Sequence, residues 1–209
     1  MILEALVVGP LQVNCFIVGC EASKEALVID PGEEGERILA RLAALGLQLT
    51  MVINTHGHFD HVGANHLLLA KSGAELLIHS ADAPLLPRAK EHGRKYGLDV
   101  QVSPPPTRLL HGNETLSVGT LKIQVIATPG HTAGGISLLI GEHLFSGDTL
   151  FADSVGRTDL PGGDHQTLVN SIRKGLFVLP DTTIVHPGHG PDTTIGREKR
   201  LNPYVGVGA

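Results

Sequence analysis

The stretch "THGHFDH", residues 55–61, sets three histidines and an aspartate in seven consecutive positions, directly after the strand-length apolar run "MVIN" at 51–54. Alternate residues of an extended chain face the same way, so His56 and His58 can chelate one cation together. Asp60 and His61 fall at the expected first turn of a helix and project elsewhere. A carboxylate there is favoured by the positive end of the helix dipole. One segment can therefore feed two neighbouring metal positions.

Further along the chain the same placement recurs. His131 follows "IQVIATPG", Asp148 follows "HLFSG" and His189 follows "TTIVHPG", each just past the end of an apolar run. Ligand sites in layered α/β proteins gather beyond the carboxyl ends of strands, where a rigid sheet aims several loops at one crevice. Counting donors gives His56, His58 and His131 for one ion and Asp60, His61 and His189 for the other, with the two oxygens of Asp148 able to bridge them. Imidazole and carboxylate without thiolate suit zinc, iron or manganese; two divalent metal ions are expected, and the donor set alone does not choose among the three. Both sets leave room for a water, as catalytic sites do. Between two divalent ions that water becomes a nucleophile near neutral pH, and one ion polarises a substrate carbonyl.

A polar loop capping a helix would explain residues 55–61 alone but not the three later placements. The other seven histidines, His66, His79, His92, His111, His143, His165 and His186, read as helix-face, strand-end or hydrogen-bonded residues. His186 is expected to point away from His189 because Pro187 and Gly188 turn the chain between them.

Short runs rich in Val, Ile and Leu, bounded by Gly, Pro, Asp or Asn, recur as "ALVV", "NCFIVG", "ALVID", "ELLIH", "LKIQVIATPG" and "ISLLI", and read as mostly buried strands. Residues 33–45 carry Ile38, Leu39, Leu42 and Leu45 at helical spacing and stop before Gly46, a fitting C-cap. Helical patterns return at 61–73 and 165–179. A divide is expected near "QVSPPPTRLL", 101–110, as a stiff surface connection inside one domain spanning 1–209. The charged stretch 84–100 reads as a cover over one edge, with Lys90, Arg94 and Lys95 on a solvated face.

A chain of 209 residues with 42% hydrophobic content can bury a substantial core. A net charge of −5 with no Lys/Arg run argues against nucleic acid as partner. Aromatics at 3% make stacking platforms hard to build, so a small polar or thiol-linked substrate is expected. Glu4, Gly9 and Pro10 break the first apolar stretch well short of a bilayer's width, and no basic n-region precedes it, so a cytoplasmic protein with no membrane partner is expected. Cys15 and Cys20 fit neither a CxxC redox pair nor a zinc knuckle, and read as buried or half-buried thiols.

"THGHFDH", "TPGHT", "SGDTLF" and "HPGHG" stand in the order and approximate spacing of the metallo-β-lactamase superfamily, whose first motif is written HxHxDH. The chain resembles that family over nearly its whole length. The resemblance implies an α/β fold, an αββα four-layer sandwich with a two-metal site at one edge of the sheets. Asp148 stands where many true β-lactamases of the fold use Cys, which resembles the hydroxyacylglutathione hydrolase (glyoxalase II) branch instead. "GRTDLPGGD", 156–164, is similar to that branch and to the related persulfide dioxygenases. In long-form hydrolases a basic residue near this position contacts the glutathione carboxylate; Arg157 matches it, while a surface salt bridge is the plainer role. About twenty residues follow His189 in place of the long form's C-terminal helical domain, so the likeness is to the short, single-domain type.

The function so implied is a binuclear metal-dependent hydrolase cleaving a thioester such as S-lactoylglutathione, with Asp60 orienting the nucleophile and relaying its proton. The alternatives are a mononuclear iron persulfide dioxygenase and, after it, a lactonase. The sequence leaves the oligomeric state open.

Overall fold

Gly, Pro and Asp cut the apolar runs of the first half into short strands, and a computed structural model describing residues 1–208 shows how they pair. The elements run β1 (Ile2–Val8), β2 (Val13–Gly19), β3 (Glu25–Ile29), α1 (Gly35–Ala44), β4 (Gln48–Ile53), α2 (Phe59–Val62), α3 (Asn65–Ser72), β5 (Glu75–His79), a 3-10 turn (Ala83–Arg88), α4 (Ala89–Lys95) and β6 (Arg108–Leu110). They form a six-stranded sheet in the order β1-β2-β3-β4-β5-β6. The β1-β2-β3 pairings are antiparallel and those from β3 to β6 are parallel. Each parallel step needs a crossover, which α1, α2 with α3, and the 3-10 turn with α4 supply in turn. Strand β2 is buried along its whole length.

Helix α1 buries Ile38 and Leu42, and Gly46, at φ +64, ends it as the sequence predicts. The helix expected over 61–73 is two pieces instead. Ala64 N–H donates to the Pro31 carbonyl at 2.9 Å, and any side chain at Gly63 would run into the Gly32 carbonyl. The backbone between α2 and α3 is thereby drawn onto the loop after β3.

The second half contains β7 (Thr115–Val118), β8 (Leu121–Ala127), β9 (Ile136–Ile140), β10 (His143–Gly147), β11 (Leu150–Phe151), β12 (Ser154–Val155), α5 (His165–Ser171), a π turn (Ile172–Leu176), β13 (Ile184–Pro187), β14 (Thr193–Thr194) and α6 (Ile195–Leu201). Its sheet runs β14-β13-β10-β9-β8-β7, with β10 and β13 parallel across the α5 crossover. Asp164 caps α5 by accepting from Thr167 N–H at 2.7 Å. The regular helix then gives way to the π turn, short of the expected 165–179. Helix α6 has no counterpart in the sequence reading; Thr194 caps it, and Glu198 within it is fully buried, where Thr193, Asn202 and Arg197 hydrogen-bond its carboxylate.

By contact the chain forms two compact units, Met1–Leu110 with Ser117–Lys122, and His111–Leu116 with the residues from Ile123 onward. The divide falls at the end of the proline-rich stretch. The first unit's core gathers Val8, Cys15, Ile17, Val28, Ile38, Leu68 and Ile78; the second's gathers Leu144, Leu168, Ile172, Val185 and Ile195. Among the described residues no helix is long and apolar enough to cross a membrane.

Candidate metal centre

In the first unit the donors follow β4 as predicted. His58 is extended, at φ −68 and ψ 148, and caps α2, which carries Asp60 in its first turn. The His56 ring stands 4.8 Å from that of His58 and 4.1 Å from that of His61, centroid to centroid. His61 Nε2 lies 3.8 Å from Asp60 Oδ2. Any side chain at Gly57 would press on Leu85 and the Asp82 carbonyl, and Gly57 N–H donates to Asp82 Oδ2 at 2.9 Å. Only glycine lets the segment between His56 and His58 lie so close to the chain after β5.

Behind these rings sits a carboxylate that the sequence reading passed over. Asp30, 1% exposed, follows β3 and takes the left-handed φ of 50. Its Oδ1 accepts from Thr55 N–H at 2.7 Å; its Oδ2 accepts from the Thr55 hydroxyl at 2.6 Å and from His61 Nδ1 at 3.0 Å. The Thr55 hydroxyl, having given its proton to Asp30, accepts from His56 Nδ1 at 3.1 Å. Both imidazoles are thus held as Nδ1–H tautomers that present Nε2 as the lone-pair nitrogen, the usual state of metal-ligating histidine backed by a carboxylate. Asp30, His56 and His61 offer ligand atoms within 4.8 Å of one another, but the Asp30 oxygens are committed to Thr55 and His61, so Asp30 orients rather than coordinates. Its position was legible by the rule that found the others: it ends "ALVID", just past an apolar run.

A second buried network fixes the backbone of His61. Asn54 donates to the His61 carbonyl at 3.0 Å and accepts from Asn65 at 2.8 Å, and Asn65 also donates to Ser103 in the proline-rich stretch at 2.9 Å. Cys15, buried nearby, has its thiol pushed well above the usual value, by burial first and then by the Asp30 charge. Such a thiol is a packing residue rather than a ligand.

In the second unit three strand ends bring His131, Asp148 and His189 together. Asp148 Oδ2 lies 3.6 Å from His131 Nε2 and 3.6 Å from His189 Nε2. Two ligands of one tetrahedral ion, each about 2.1 Å from it, stand roughly 3.4 Å apart, so one carboxylate oxygen is spaced to share a cation with either ring. The backbone carbonyl of Asp148 is backed by Gly156, where any side chain would collide with it. His131 Nδ1 donates to the carbonyl of Arg157 at 2.7 Å, which again turns Nε2 outward. The donor chemistry of both units fits divalent cations: imidazoles, three of them with Nδ1 engaged by a backing acceptor, carboxylates, and no thiolate.

Arg157 therefore serves the site through its main chain. Its guanidinium forms a bidentate ion pair with Asp159, at 2.7 Å for both bonds, and holds that exposed carboxyl down at about 2. Tyr96, 53% exposed, lies against Phe59 of α2 with ring centroids 5.1 Å apart. His186 bonds to His143 and Asp192.

A sequence model of the metallo-beta-lactamase superfamily matches residues 8–189. The hydroxyacylglutathione hydrolase GloC of Haemophilus influenzae is 38% identical over 98% of this chain and 98% of its own. Among solved structures, BLEG-1, described as a B3 metallo-beta-lactamase, is 36% identical with a TM-score of 0.91, covering 98% of this chain and 99% of that one. TTHA1623 in a di-iron-bound form is 40% identical with a TM-score of 0.89, covering 96% and 99%. ETHE1 from Myxococcus xanthus is 34% identical with a TM-score of 0.85, covering 100% and 86%. With its strand-end histidines and aspartates and a fold shared with these proteins, the chain belongs to the metallo-beta-lactamase superfamily, whose members are generally metal-dependent hydrolases.

Proposed function

We propose that the protein is a thioester hydrolase of the short glyoxalase II type, acting on a small thiol conjugate such as S-lactoylglutathione. The observation that carries this reading is the donor set: three imidazoles with their Nδ1–H groups engaged, and one Asp148 oxygen 3.6 Å from both His131 and His189. The likeness to GloC supports the thioester.

His56, His58 and His131 would hold one ion, and Asp60, His61 and His189 the other, with Asp148 as a further carboxylate ligand. Bound there, two divalent ions, zinc in this reading, supply an acidified water and a Lewis acid for the substrate carbonyl. Asp60, at the start of α2, orients the attacking water and accepts its proton. A thiolate leaves readily, so the chain need not supply a strong general acid. Arg157 would take a substrate carboxylate by exchanging Asp159 for it, an inexpensive swap because both groups are exposed and such surface pairs are weak. The substrate is a small molecule of the cytoplasmic thiol pool; the net charge of −5 does not favour nucleic acid.

The likeness to ETHE1 favours a second reading, a persulfide dioxygenase on a single iron. Metal analysis after expression without supplement, followed by assays of thiol release from S-lactoylglutathione and oxygen uptake on glutathione persulfide, separates the readings. The hydrolase reading expects about two ions per chain and thiol release. Oxygen consumption with one iron and no thiol release would overturn it.

A further inference from the structure

The chain from His186 to Asp192, "HPGHGPD", joins β13 to β14 and carries His189 at its centre. Strand pairing brings Ile184 opposite Thr194 and Val185 opposite Thr193, so His186 and Asp192 form the next rung, at the mouth of the loop. Side chains join this rung: His186 Nδ1 lies 2.9 Å from Asp192 Oδ1. On its other edge His186 Nε2 lies 2.9 Å from His143 Nδ1, contributed by the first residue of β10. The rings of His143 and Phe145 run nearly parallel to that of His186, at 15° and 25°, with centroids 5.2 and 5.0 Å away. Burial, then the neighbouring His186, lowers the His143 pKa against the opposing pull of Glu142 and Asp192. A neutral His143 can donate its Nδ1–H to His186 Nε2, while His186 donates its own Nδ1–H to the Asp192 carboxylate. Every polar atom along this line has a compatible partner.

We infer that Asp192, His186 and His143 form a positioning clamp that sets the place of His189 in the metal centre. The inference rests on the reading of His189 as a metal ligand given above. The loop needs such a device because Gly188 and Gly190, the latter at φ +76, flank His189 and leave it little stiffness of its own. One tether already holds the near side: Gly188 N–H donates to the Gly147 carbonyl at 2.9 Å, next to Asp148. The clamp supplies the tether on the far side. His186 acts through the loop and touches no reacting atom; it is a positioning residue.

The test is zinc binding to the metal-free full chain, titrated against a competing chelator, with the melting temperature of the metal-free protein measured alongside. His189→Ala is expected to lose one of two ions. Asp192→Ala, whose side chain is 56% exposed and can be removed without opening the core, is expected to weaken one ion about tenfold and leave the other unchanged, in the range typical of residues that orient ligands. His186→Phe, which keeps a ring against Phe145, is expected to do the same. Asp192→Asn retains an oxygen that accepts from His186 Nδ1–H and is expected to recover most of the loss, which a merely structural lesion would not show. If His189→Ala loses an ion while Asp192→Ala and His186→Phe bind both with unchanged affinity, the clamp is refuted and the ligand assignment stands. If His189→Ala keeps both ions, the assignment itself fails and the clamp with it.

Discussion

The first unit places four candidate donors, His56, His58, Asp60 and His61, on one short segment, and a side-chain carboxylate, Asp30, holds two of the imidazoles from behind. The second unit takes its three donors from three strand ends and anchors His131 on a main-chain carbonyl, that of Arg157. The difference teaches where each half is vulnerable. A substitution at residue 30 removes the support of two rings, whereas no substitution at residue 157 removes a carbonyl. The first half is exposed to mutation in its scaffolding; the second is exposed mainly in its ligands and in the loops that carry them.

Asp148→Ala should have the largest effect, abolishing both metal retention and turnover; retention of full metal content in elemental analysis would remove Asp148 from the centre. Asp30→Ala comes next. It leaves Thr55 N–H without its buried acceptor, so a stability loss of about 2–4 kcal/mol is expected in denaturant titration, and metal affinity should fall about 10–100-fold. Arg157→Ala, its counterpart in the other unit, should leave metal content unchanged. The glycines that back the two carboxylate ligands sharpen the comparison. Gly32→Ala would drive a methyl into the Asp60 carbonyl, and Gly156→Ala into that of Asp148, so each should cost about 1–3 kcal/mol of stability, the first weakening one ion and the second, through Asp148, both.

The smallest effect belongs to the exposed Arg157–Asp159 pair. Arg157→Ala should raise KM for a carboxylate-bearing thioester while kcat holds, and an unchanged KM would return the guanidinium to a surface role. The Arg157 guanidinium holds the Asp159 carboxyl at about 2, below the ordinary aspartate value, so whatever the pair adds to stability is fully present above that ordinary value and lost as pH falls through about 2. Melting curves of Asp159→Asn and the parent protein should therefore differ, slightly, only above that window.

What could be read in the sequence divides along the same line. His56, His58, Asp60 and His61 were legible because their geometry is local: an extended dipeptide step followed by a helical turn. His131, Asp148 and His189 were legible only through the strand-end rule and the family likeness, since their meeting depends on sheet pairing that no local pattern encodes. Asp30 obeys the same rule yet was missed, because a lone aspartate before Pro-Gly also marks an ordinary turn. The clamp was invisible for a related reason: His143 and His186 are brought side by side by the parallel pairing of β10 with β13. The split of α2 from α3 follows from backbone donors captured by the 30–32 loop, which helical periodicity cannot foresee.

One oxygen, Asp30 Oδ2, receives His61 directly and His56 through a single hydroxyl. The two rings stand on common ground, and a lesion at that atom is felt by both at once. A change at residue 30 therefore cannot be confined to one of these two histidines, whereas a change at the Asp192 end of the β13–β14 loop reaches neither of them.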